Sequence, residues 1–277
     1  MPSKPTNSPI KKPKPPVKWA GGKTQLLPQF APLFPRKKYN LYLEPFVGGG
    51  AVFFHLLPPA AILIDSNGEL INFYRVVRDR LDQLLADLKK HKNTREYYYS
   101  IRALDPEKLS PVQRASRFLY LNKTAYNGLW RVNSKGQFNV PYGRYKNPRI
   151  IDKENLQLVA EALRGAELIA GDFSCVLDLA PPGAFVYFDP PYYPLTETAN
   201  FTSYTPGAFT REDQIRLFKA FAELDRRGCL VMLSNSDTPF IRTLYAQYDI
   251  QVVTARRAIN CRPEGRGPVT ELVIRNY

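Results

Sequence analysis

The chain has 277 residues, of which 44% are hydrophobic and 13% aromatic, and this composition excludes an intrinsically disordered protein. Its length allows one large α/β domain or one domain that carries a smaller insertion. Lysine and arginine number 39 against 25 acids, and the resulting net charge of +14 favours a polyanionic partner, most often a nucleic acid.

The three cysteines, Cys175, Cys229 and Cys261, lie far apart and form no C-x-x-C pair. They support neither a disulfide framework nor a zinc site, and neither His55 nor His91 has sequence neighbours that suggest a metal ligand. No apolar run approaches the length that spans a bilayer, and the N-terminus carries lysines and prolines where a signal peptide needs an apolar core. We expect a soluble cytoplasmic protein without a metal.

Residues 1–16, MPSKPTNSPIKKPKPP, hold six prolines and four lysines and no acid. Such a segment cannot bury enough apolar surface to offset the entropy of folding, so we predict a flexible basic tail. This tail would either touch DNA phosphates weakly or stay solvated and dispensable.

From Val17 onward, short apolar runs alternate with amphipathic segments. The runs at 42–46 and 61–65 are stopped by Gly, Asp or Asn, as buried parallel strands are, and residues 51–57 between them predict a helix. Residues 69–104 are predicted to be mostly helical because apolar residues recur there at helical spacing.

The second half of the chain continues this alternation. Further strands are predicted at 166–172, 184–191 and 228–237, with intervening helices at 157–165 and 211–228. Thr210 followed by Asp213 predicts a capping box at the start of the second of these helices. Strands that alternate with helices indicate an α/β fold with a doubly wound, Rossmann-like sheet.

The stretch 118–148 departs from the alternation. Its apolar residues have a period of two, and a Ser-Lys-Gly turn at 134–136 lies in its middle, so we predict an inserted β-hairpin. This hairpin would belong to a mainly helical subdomain at 79–150. The remaining residues, 17–78 and 151–277, would then form the main domain.

A glycine-rich turn follows the first predicted strand. Phe46, Gly48 and Gly50 form an F-x-G-x-G pattern, in which missing side chains let the backbone approach a ligand at the start of a helix. A plain tight turn would explain this pattern alone, but Asp65 ends the next strand, where an acid can accept hydrogen bonds from both ribose hydroxyls. The full dinucleotide pattern G-x-G-x-x-G is absent, so a nucleoside without a pyrophosphate, such as S-adenosylmethionine, fits better than NAD.

The segment KWAGGK at 18–23 precedes this turn. Lys23 could hold a carboxylate and Trp19 could pack against an adenine or methionine group; a Gly-Gly loop with a core tryptophan is the alternative. Lys23 does not lie in a G-x-x-x-x-G-K-[ST] motif, so a phosphate-binding P-loop is unsupported. Asp172, at the end of the third predicted strand, could lie near the adenine of the cofactor.

The sequence VYFDPPYY at 186–193 ends a predicted strand with a carboxylate, two prolines and two aromatic rings. An exocyclic base amine is a poor nucleophile until acceptors hold both N–H groups and its lone pair points at the methyl group. Asp189 offers one acceptor and the Pro190 carbonyl another, while the rings of Pro190 and Pro191 fix where that carbonyl points. Tyr192 would stack on a base that has left the duplex. Catalysis would then rest on positioning and electrostatics.

Alternation along the predicted hairpin separates a packed apolar face from a face that can read DNA. An arginine on the reading face suits guanine O6 and N7, and the apolar groups beside it suit a thymine methyl. A solvated hairpin side is the alternative. The reading face comprises Leu129, Arg131, Asn133, Gln137, Asn139 and Pro141, and the packed face comprises Trp130, Val132, Phe138 and Val140.

These motifs and their order resemble those of the Dam-type, D12-class N6-adenine-specific DNA methyltransferases. The resemblance runs from KWAGGK through EPFVGGG, Asp65-Ser-Asn, YNGLWRVNSKGQFNVPYGRYK and DPPY to TELVI near the C-terminus, and it leaves out little but the basic tail. It implies a catalytic domain that binds S-adenosylmethionine and an inserted target-recognition subdomain that binds double-stranded DNA. The implied reaction is methyl transfer to adenine N6, and GATC is the target that such a hairpin most resembles.

The resemblance also implies roles for residues around the reaction. Trp19, Lys23, Asp65 and Asp189 would contact S-adenosylmethionine. Asp189 and Pro190 would also hold the adenine N6, and Tyr192 would stack on the flipped ring.

On the DNA side, the resemblance implies that Tyr126 wedges into the space left by the adenine and that Asn127 steadies the distorted backbone. Lys18 would reach the outer base pair, and Arg144 would support phosphate contacts. The base edges would be read by Leu129, Arg131 and Pro141.

Two other functions remain open from the sequence alone. The D/N-P-P-Y motif is shared with enzymes that methylate RNA or protein glutamine, and an inactive DNA-binding regulator is a further alternative. The inserted hairpin and the intact motif favour an active DNA enzyme.

The loop 196–209, with Phe201 and Tyr204, could close over the flipped base. One hairpin requires no dimer, so we expect a monomer associated with the nucleoid; whether it accompanies a restriction nuclease depends on neighbouring genes.

Overall fold

The computed structural model describes residues 11–195, 209–255 and 269–277, which form a seven-stranded sheet with helices on both faces. The strands are β1 (Tyr42–Pro45), β2 (Ala61–Asp65), β3 (Ala166–Ala170), β4 (Phe185–Phe188), β5 (Leu230–Ser236), β6 (Asp249–Ala255) and β7 (Val269–Arg275). Their order is β3-β2-β1-β4-β5-β7-β6; the first five in sequence are parallel, and β7 is antiparallel to both of its neighbours. The predicted doubly wound α/β sheet is confirmed.

The helices are α1 (Leu27–Phe30), α2 (Ala51–Leu56), α3 (Gly68–Asp79), α4 (Leu81–Leu88), α5 (Arg95–Ala103), α6 (Pro111–Thr124), α7 (Lys153–Leu163), α8 (Val176–Leu179), α9 (Arg211–Arg226) and α10 (Pro239–Leu244). The capping box predicted for α9 is confirmed, because the Thr210 side chain accepts from the Asp213 amide while the Asp213 carboxylate accepts from the Thr210 amide. No helix in the described ranges is both long and apolar enough to cross a membrane.

Side chains alternate along the strands and supply a separate core on each face of the sheet. On one face, Tyr42 and Phe185 pack with helices α3, α4, α6 and α7. On the other face, Leu43 and Val186 pack with α8, α9 and α10. Both faces are covered, which is why these parallel strands read as continuous apolar runs in the sequence.

The inserted region shares one of these cores. Leu84 in α4 and Phe118 in α6 are fully buried in the same cluster as the strand residues. A third, smaller cluster lies beyond them and is built from Tyr98, Tyr120, Leu121, Ala125, Phe138 and Val140. Helices α4 and α6 of the predicted subdomain therefore continue the layer on one face of the sheet, and the outer cluster joins α5 and α6 to the hairpin residues Phe138 and Val140.

The prediction of a hairpin at 118–148 was wrong for its first residues, because 118–124 form the last turns of α6. This helix is buried on all sides from Ala115 to Asn122, so its sequence lacks the periodicity that marks a half-exposed helix. Beyond it, the hairpin is held by two isolated bridges, Ala125 with Tyr142 and Val132 with Phe138.

Residues 11–16, which the sequence analysis placed in the basic tail, lie against α7. The Lys14 amide donates to the Asn155 side chain at 2.8 Å, and the Asn155 amide group donates back to the Lys14 carbonyl at 2.9 Å. Pro13 and Pro16 are buried. Rigid prolines lose little entropy on docking, which explains why a polar, proline-rich segment is held here. Residues 1–10 lie outside the described ranges.

Strands β6 and β7 were not predicted, and β6 forms an edge of the sheet. The side chain of Gln29 meets this edge: its Nε2 donates to the Thr254 carbonyl at 2.9 Å, and its Oε1 accepts from the Thr254 amide at 3.0 Å. The side-chain amide thus makes the two bonds that a neighbouring strand would make.

Candidate active site

The two principal motifs lie at the point where the strand order reverses. Strands β1 and β4 are neighbours, and the chain continues from β1 towards one edge of the sheet and from β4 towards the other. In such sheets the crevice at the carboxyl ends of these two strands is where ligands bind. The turn at 46–50 leaves β1 there, and the loop at 189–193 leaves β4 beside it.

The glycine-rich turn has a backbone that requires its glycines. Gly48 and Gly50 have φ values of +47° and +70°, in the left-handed region, and Phe46 adopts a φ of +73°. A Cβ added to Gly48 would lie 2.6 Å from Cδ1 of Trp19, so the indole ring packs directly on the turn. The KWAGGK segment and the F-x-G-x-G turn therefore contact each other in the fold.

Asp65, at the end of β2, is tied to the same turn. One oxygen of its buried carboxylate accepts from the Gly48 amide at 3.0 Å, and the other accepts from the Asn67 amide at 2.9 Å. Burial raises the pKa of Asp65, and these two amide bonds lower it in part. The Tyr74 hydroxyl also donates to the Gly48 carbonyl at 2.8 Å. Both the amide and the carbonyl of Gly48 are therefore hydrogen-bonded to side chains.

Glu44, beneath the turn, is a buried acid that the sequence analysis missed. It accepts from the Tyr42 hydroxyl at 2.8 Å and from the Phe53 amide at 3.1 Å. Burial raises its pKa to about 8, and the charge of Asp189 contributes in the same direction. The glutamate of the EPF motif is the sequence signal that could have identified it.

Asp189, directly after β4, is held by two donors on one oxygen. Ser234 in β5 donates to Oδ1 at 2.8 Å, and the Lys23 ammonium lies 2.8 Å from the same atom. The Lys23 side chain is 4% exposed and also donates to the Gly21 carbonyl. Lys23 was assigned to the cofactor alone, whereas here it contacts the predicted catalytic carboxylate.

The loop after Asp189 is braced by polar side chains that the sequence analysis did not select. Gln214 of α9 donates to the Pro191 carbonyl at 2.9 Å, and Asn235 of β5 donates to Gln214 at 2.9 Å. The Asn235 oxygen accepts from the Tyr193 amide at 3.2 Å. Because Asn235 and Gln214 are fully buried, this network fixes the path of the two prolines. The Ser-Asn-Ser end of β5, beside β4, was the available signal.

Tyr192 is fixed at its hydroxyl and on one face of its ring. The hydroxyl donates to Oε2 of Glu271 in β7 at 2.6 Å, and the Lys23 ammonium lies 4.7 Å from the ring centroid. Burial, followed by the charges of Asp189 and Glu271, raises the pKa of Tyr192 well above its usual range. The phenol therefore stays protonated and serves as a donor.

Asp172 and Phe46 lie at a neighbouring part of the site. The Phe46 ring stacks on Phe173 with the centroids 5.3 Å apart. Asp172 accepts from Ser174 through one oxygen and from Arg216 at 3.0 Å through the other. Burial raises the pKa of Asp172, but the Ser174 bonds and then the Arg216 charge outweigh it and bring the pKa below its ordinary value. Asp172 is thus an ionised acid that caps a local turn.

The start of the hairpin presents exposed groups next to Lys18 of the KWAGGK segment. Tyr126 is 53% exposed, and Asn127 adopts a φ of +53° in a short 3₁₀ turn. The Lys18 side chain lies directly over Gly128, and its ammonium is 4.4 Å from the Tyr145 ring centroid. Lys18 and the predicted wedge residues therefore lie on one surface.

The two faces predicted for the hairpin are partly confirmed. Phe138 and Val140 are buried and Trp130 packs on Phe118, as expected, but Val132 is 46% exposed and its predicted packing was wrong. The strand is paired to the return strand by the bridge of Val132 to Phe138 and by backbone bonds at Arg131 and Asn133, but the Val132 side chain has no cover from the described residues on its own side.

The reading face differs in detail from the expectation. Arg131 and Leu129 are exposed, and Nε of Arg131 donates to Asn139 at 2.7 Å. Asn133 turns into the hairpin, where its Oδ1 accepts from the Lys135 and Gln137 amides at 3.0 Å. This side chain stabilises the turn. The two other predicted contact residues, Pro141 and Arg144, are also exposed.

Within residues 11–195, 209–255 and 269–277, no group of three or more His, Cys, Asp and Glu side chains could hold a metal ion. The loop proposed to close over a base, with Phe201 and Tyr204, lies outside these ranges except for Phe209. In the part that is described, the fold brings together Trp19, Lys23, Asp65, Asp189 and Tyr192, while Asp172 has its own partners.

Known proteins are similar in sequence to this chain along nearly its whole length. The model of the D12 class N6 adenine-specific DNA methyltransferase family matches residues 19–259. The chain is 47% identical to Type II methyltransferase M1.LlaDCHI of Lactococcus lactis subsp. cremoris over 272 residues, which cover 95% of each protein. It is 44% identical to Type II methyltransferase M.MjaIII of Methanocaldococcus jannaschii, over 95% of this chain and 99% of the relative. It is 38% identical to the DNA adenine methylase of Escherichia coli strain K12, over 93% of each. The chain belongs to the D12 class of N6 adenine-specific DNA methyltransferases.

Proposed function

We propose that this enzyme transfers a methyl group from S-adenosylmethionine to N6 of an adenine that has been flipped out of duplex DNA, within the sequence GATC. The observation that carries the proposal is the Asp189 carboxylate. Lys23 and Ser234 hold Oδ1 of Asp189 at 2.8 Å each, and a braced Pro-Pro-Tyr loop follows it at the switch point of the sheet. This arrangement presents a fixed acceptor, a fixed carbonyl and an aromatic ring at one place.

The donor set beside the turn fits S-adenosylmethionine, which supplies an electrophilic methyl group on its sulfonium. The buried Asp65 carboxylate suits ribose hydroxyls, and the Lys23 ammonium suits the carboxylate of the methionine group. The Trp19 ring, which packs on Gly48, and the Phe46 ring offer apolar surfaces for the rest of the molecule. Gly48 and Gly50 keep the backbone accessible.

The chemistry on the adenine side follows from the same loop. Asp189 has a second oxygen, Oδ2, that can accept one N6 hydrogen, and the Pro190 carbonyl can accept the other. Gln214 holds the next carbonyl, that of Pro191, so the direction of the Pro190 carbonyl is fixed before substrate arrives. Tyr192 provides the stacking surface. No covalent bond to the enzyme is required.

The exposed hairpin surface supports the DNA part of the proposal. Tyr126 and Asn127 would enter the space left by the adenine, since Tyr126 is 53% exposed at the start of a short turn. Leu129 is 41% exposed and would meet a base edge beside Arg131. Lys18, Pro141 and Arg144 complete the proposed DNA contacts, on a chain with a net charge of +14.

We further propose that the enzyme acts as a monomer on DNA in the cytoplasm, at the nucleoid. Two of its relatives are named Type II methyltransferases, which supports a role in protecting DNA against a restriction nuclease of the same specificity. Extraction of DNA from cells that express the enzyme, followed by digestion with a nuclease that cuts only unmethylated GATC, tests whether the enzyme methylates GATC in cells, which this role requires. Resistant DNA is expected.

Labelled S-adenosylmethionine tests the reaction directly. The enzyme is incubated with a GATC duplex, a scrambled duplex and single-stranded RNA, and the labelled base is identified after hydrolysis. N6-methyladenine confined to the GATC duplex is expected, and Asp189→Ala should abolish it. Label on N6 in another sequence would refute the GATC assignment, and label on RNA would refute the DNA substrate. Tight duplex binding without transfer would indicate an inactive regulator.

A further inference from the structure

Glu271 is a partly exposed acid that stands directly before the buried residues of β7. The residues that follow it, Leu272, Val273 and Ile274, are fully buried, and β7 lies between β5 and β6 inside the sheet. A carboxylate that is partly buried in an interior strand loses some of its hydration, and a hydrogen bond offsets part of that cost. Its hydrogen-bond partner among the described residues is the Tyr192 hydroxyl, 79 positions earlier in the chain.

The topology explains how these two distant residues meet. β7 runs antiparallel to β5, and Glu271 pairs with Ser236, the last residue of β5. The first residues of β7 therefore lie beside the carboxyl ends of the parallel strands. The Asp-Pro-Pro-Tyr loop leaves β4 at that edge, so a side chain from β7 reaches the loop from the far side of β5.

The contact restrains the ring in a way that the loop alone cannot. A tyrosine has two side-chain torsions, and bracing of the Pro191 carbonyl by Gln214 fixes only the backbone. The Oη to Oε2 distance of 2.6 Å lies in the range of a charge-assisted bond, and it holds the end of the ring. With the Lys23 ammonium 4.7 Å from one face, the other face is the one left for a base.

We propose that Glu271 is a positioning residue that orients the Tyr192 ring to receive the target adenine. This inference rests on the proposed function, since it concerns the same site. Glu271 itself touches neither the adenine nor the cofactor and acts through the Tyr192 hydroxyl. Removing either end of the bond should therefore have the same consequence, and removing both should cost little more than removing one.

A double-mutant cycle tests this coupling. Methyl transfer is measured in a single turnover at saturating cofactor and DNA, and base flipping is followed by the fluorescence of 2-aminopurine at the target position. Glu271→Ala and Tyr192→Phe should each slow transfer about tenfold and reduce the fluorescence gain, because each removes the same charge-assisted bond. Glu271→Gln, whose amide oxygen still accepts, should stay within about threefold of wild type. In the Tyr192→Phe background, Glu271→Ala should add less than about a twofold loss.

Glu167→Ala is the matched control, because Glu167 is an exposed glutamate in β3, at the opposite edge of the sheet. It should leave both readouts unchanged. If the wild type is active and the losses of transfer rate in the two single variants multiply in the double variant, the inference is wrong while the proposed function stands. Absence of methyl transfer by the wild type would refute the proposed function and the inference together. Tyr192→Phe retains the ring and its packing, so it tests the bond even if Glu271→Ala does not fold.

Discussion

Replacing Ser234 with alanine separates the positioning of Asp189 from the packing around it. The buried Ser234 hydroxyl donates to Oδ1 of Asp189 at 2.8 Å and lies 2.9 Å from the Tyr187 hydroxyl. A hydrogen bond to a charged group contributes about 1.5–3 kcal/mol, so Ser234→Ala should lower kcat/KM by about 10- to 100-fold. The Tyr187 hydroxyl also loses its acceptor in the interior, which should lower the free energy of unfolding by about 1–3 kcal/mol.

Tyr187→Phe is the control for the second effect. It removes only the hydroxyl of Tyr187 and leaves the bond from Ser234 to Asp189. It should therefore lower the free energy of unfolding by about 1 kcal/mol and keep kcat/KM within about threefold of wild type. The assay is transfer of a labelled methyl group to GATC duplex, with urea unfolding measured on the same samples. Equal losses of kcat/KM in the two variants would refute the reasoning, because they would trace the effect to packing.

Three further outcomes follow from the site. Burial raises the pKa of Glu44 to about 8 in the folded protein. The free energy of unfolding of the wild type should therefore fall as the pH rises from the pKa of Glu44 in the unfolded chain towards 8. Urea unfolding at low and high pH should show no such fall for Glu44→Gln. Gly48→Ala would place a Cβ 2.6 Å from Trp19 at a φ of +47°, and calorimetry should find a loss of about 1–3 kcal/mol in stability with weaker S-adenosylmethionine binding. Arg131→Ala should weaken binding of the GATC duplex by about 1–3 kcal/mol and relax the guanine preference in competition with single-base variants. An unchanged preference would exclude Arg131 from base reading.

Local signals in the sequence were enough to place the motifs on the sheet. Apolar runs stopped by Gly or Asp gave the five parallel strands, and Asp65 and Asp189 lie at or just after the ends of two of them, as predicted. The turn and the loop share one edge because parallel strands align their carboxyl ends. Nothing beyond the order of strands and helices was needed for this result.

The bracing of the site could not be read in the same way, because it depends on pairing between distant segments. Glu271 reaches Tyr192 only because β7 inserts antiparallel between β5 and β6, and no local pattern encodes that order. Gln214 lies on a helix face that appears polar in sequence, yet it is fully buried under the loop. The residues of α6 that read as a strand are buried between other helices and the hairpin, so burial removed the periodic signal.

The contact between Gln29 and the edge strand bears on how copies of the enzyme meet in a crowded cell. An unpaired strand edge is a template on which another chain can extend the sheet, and such growth leads to aggregation. At Thr254 both peptide groups are already bonded to the Gln29 side chain. A second molecule would have to displace this glutamine before it could join the sheet there. Through Gln29, the short helix α1 thus covers part of the edge strand and helps to protect the enzyme against edge-to-edge aggregation.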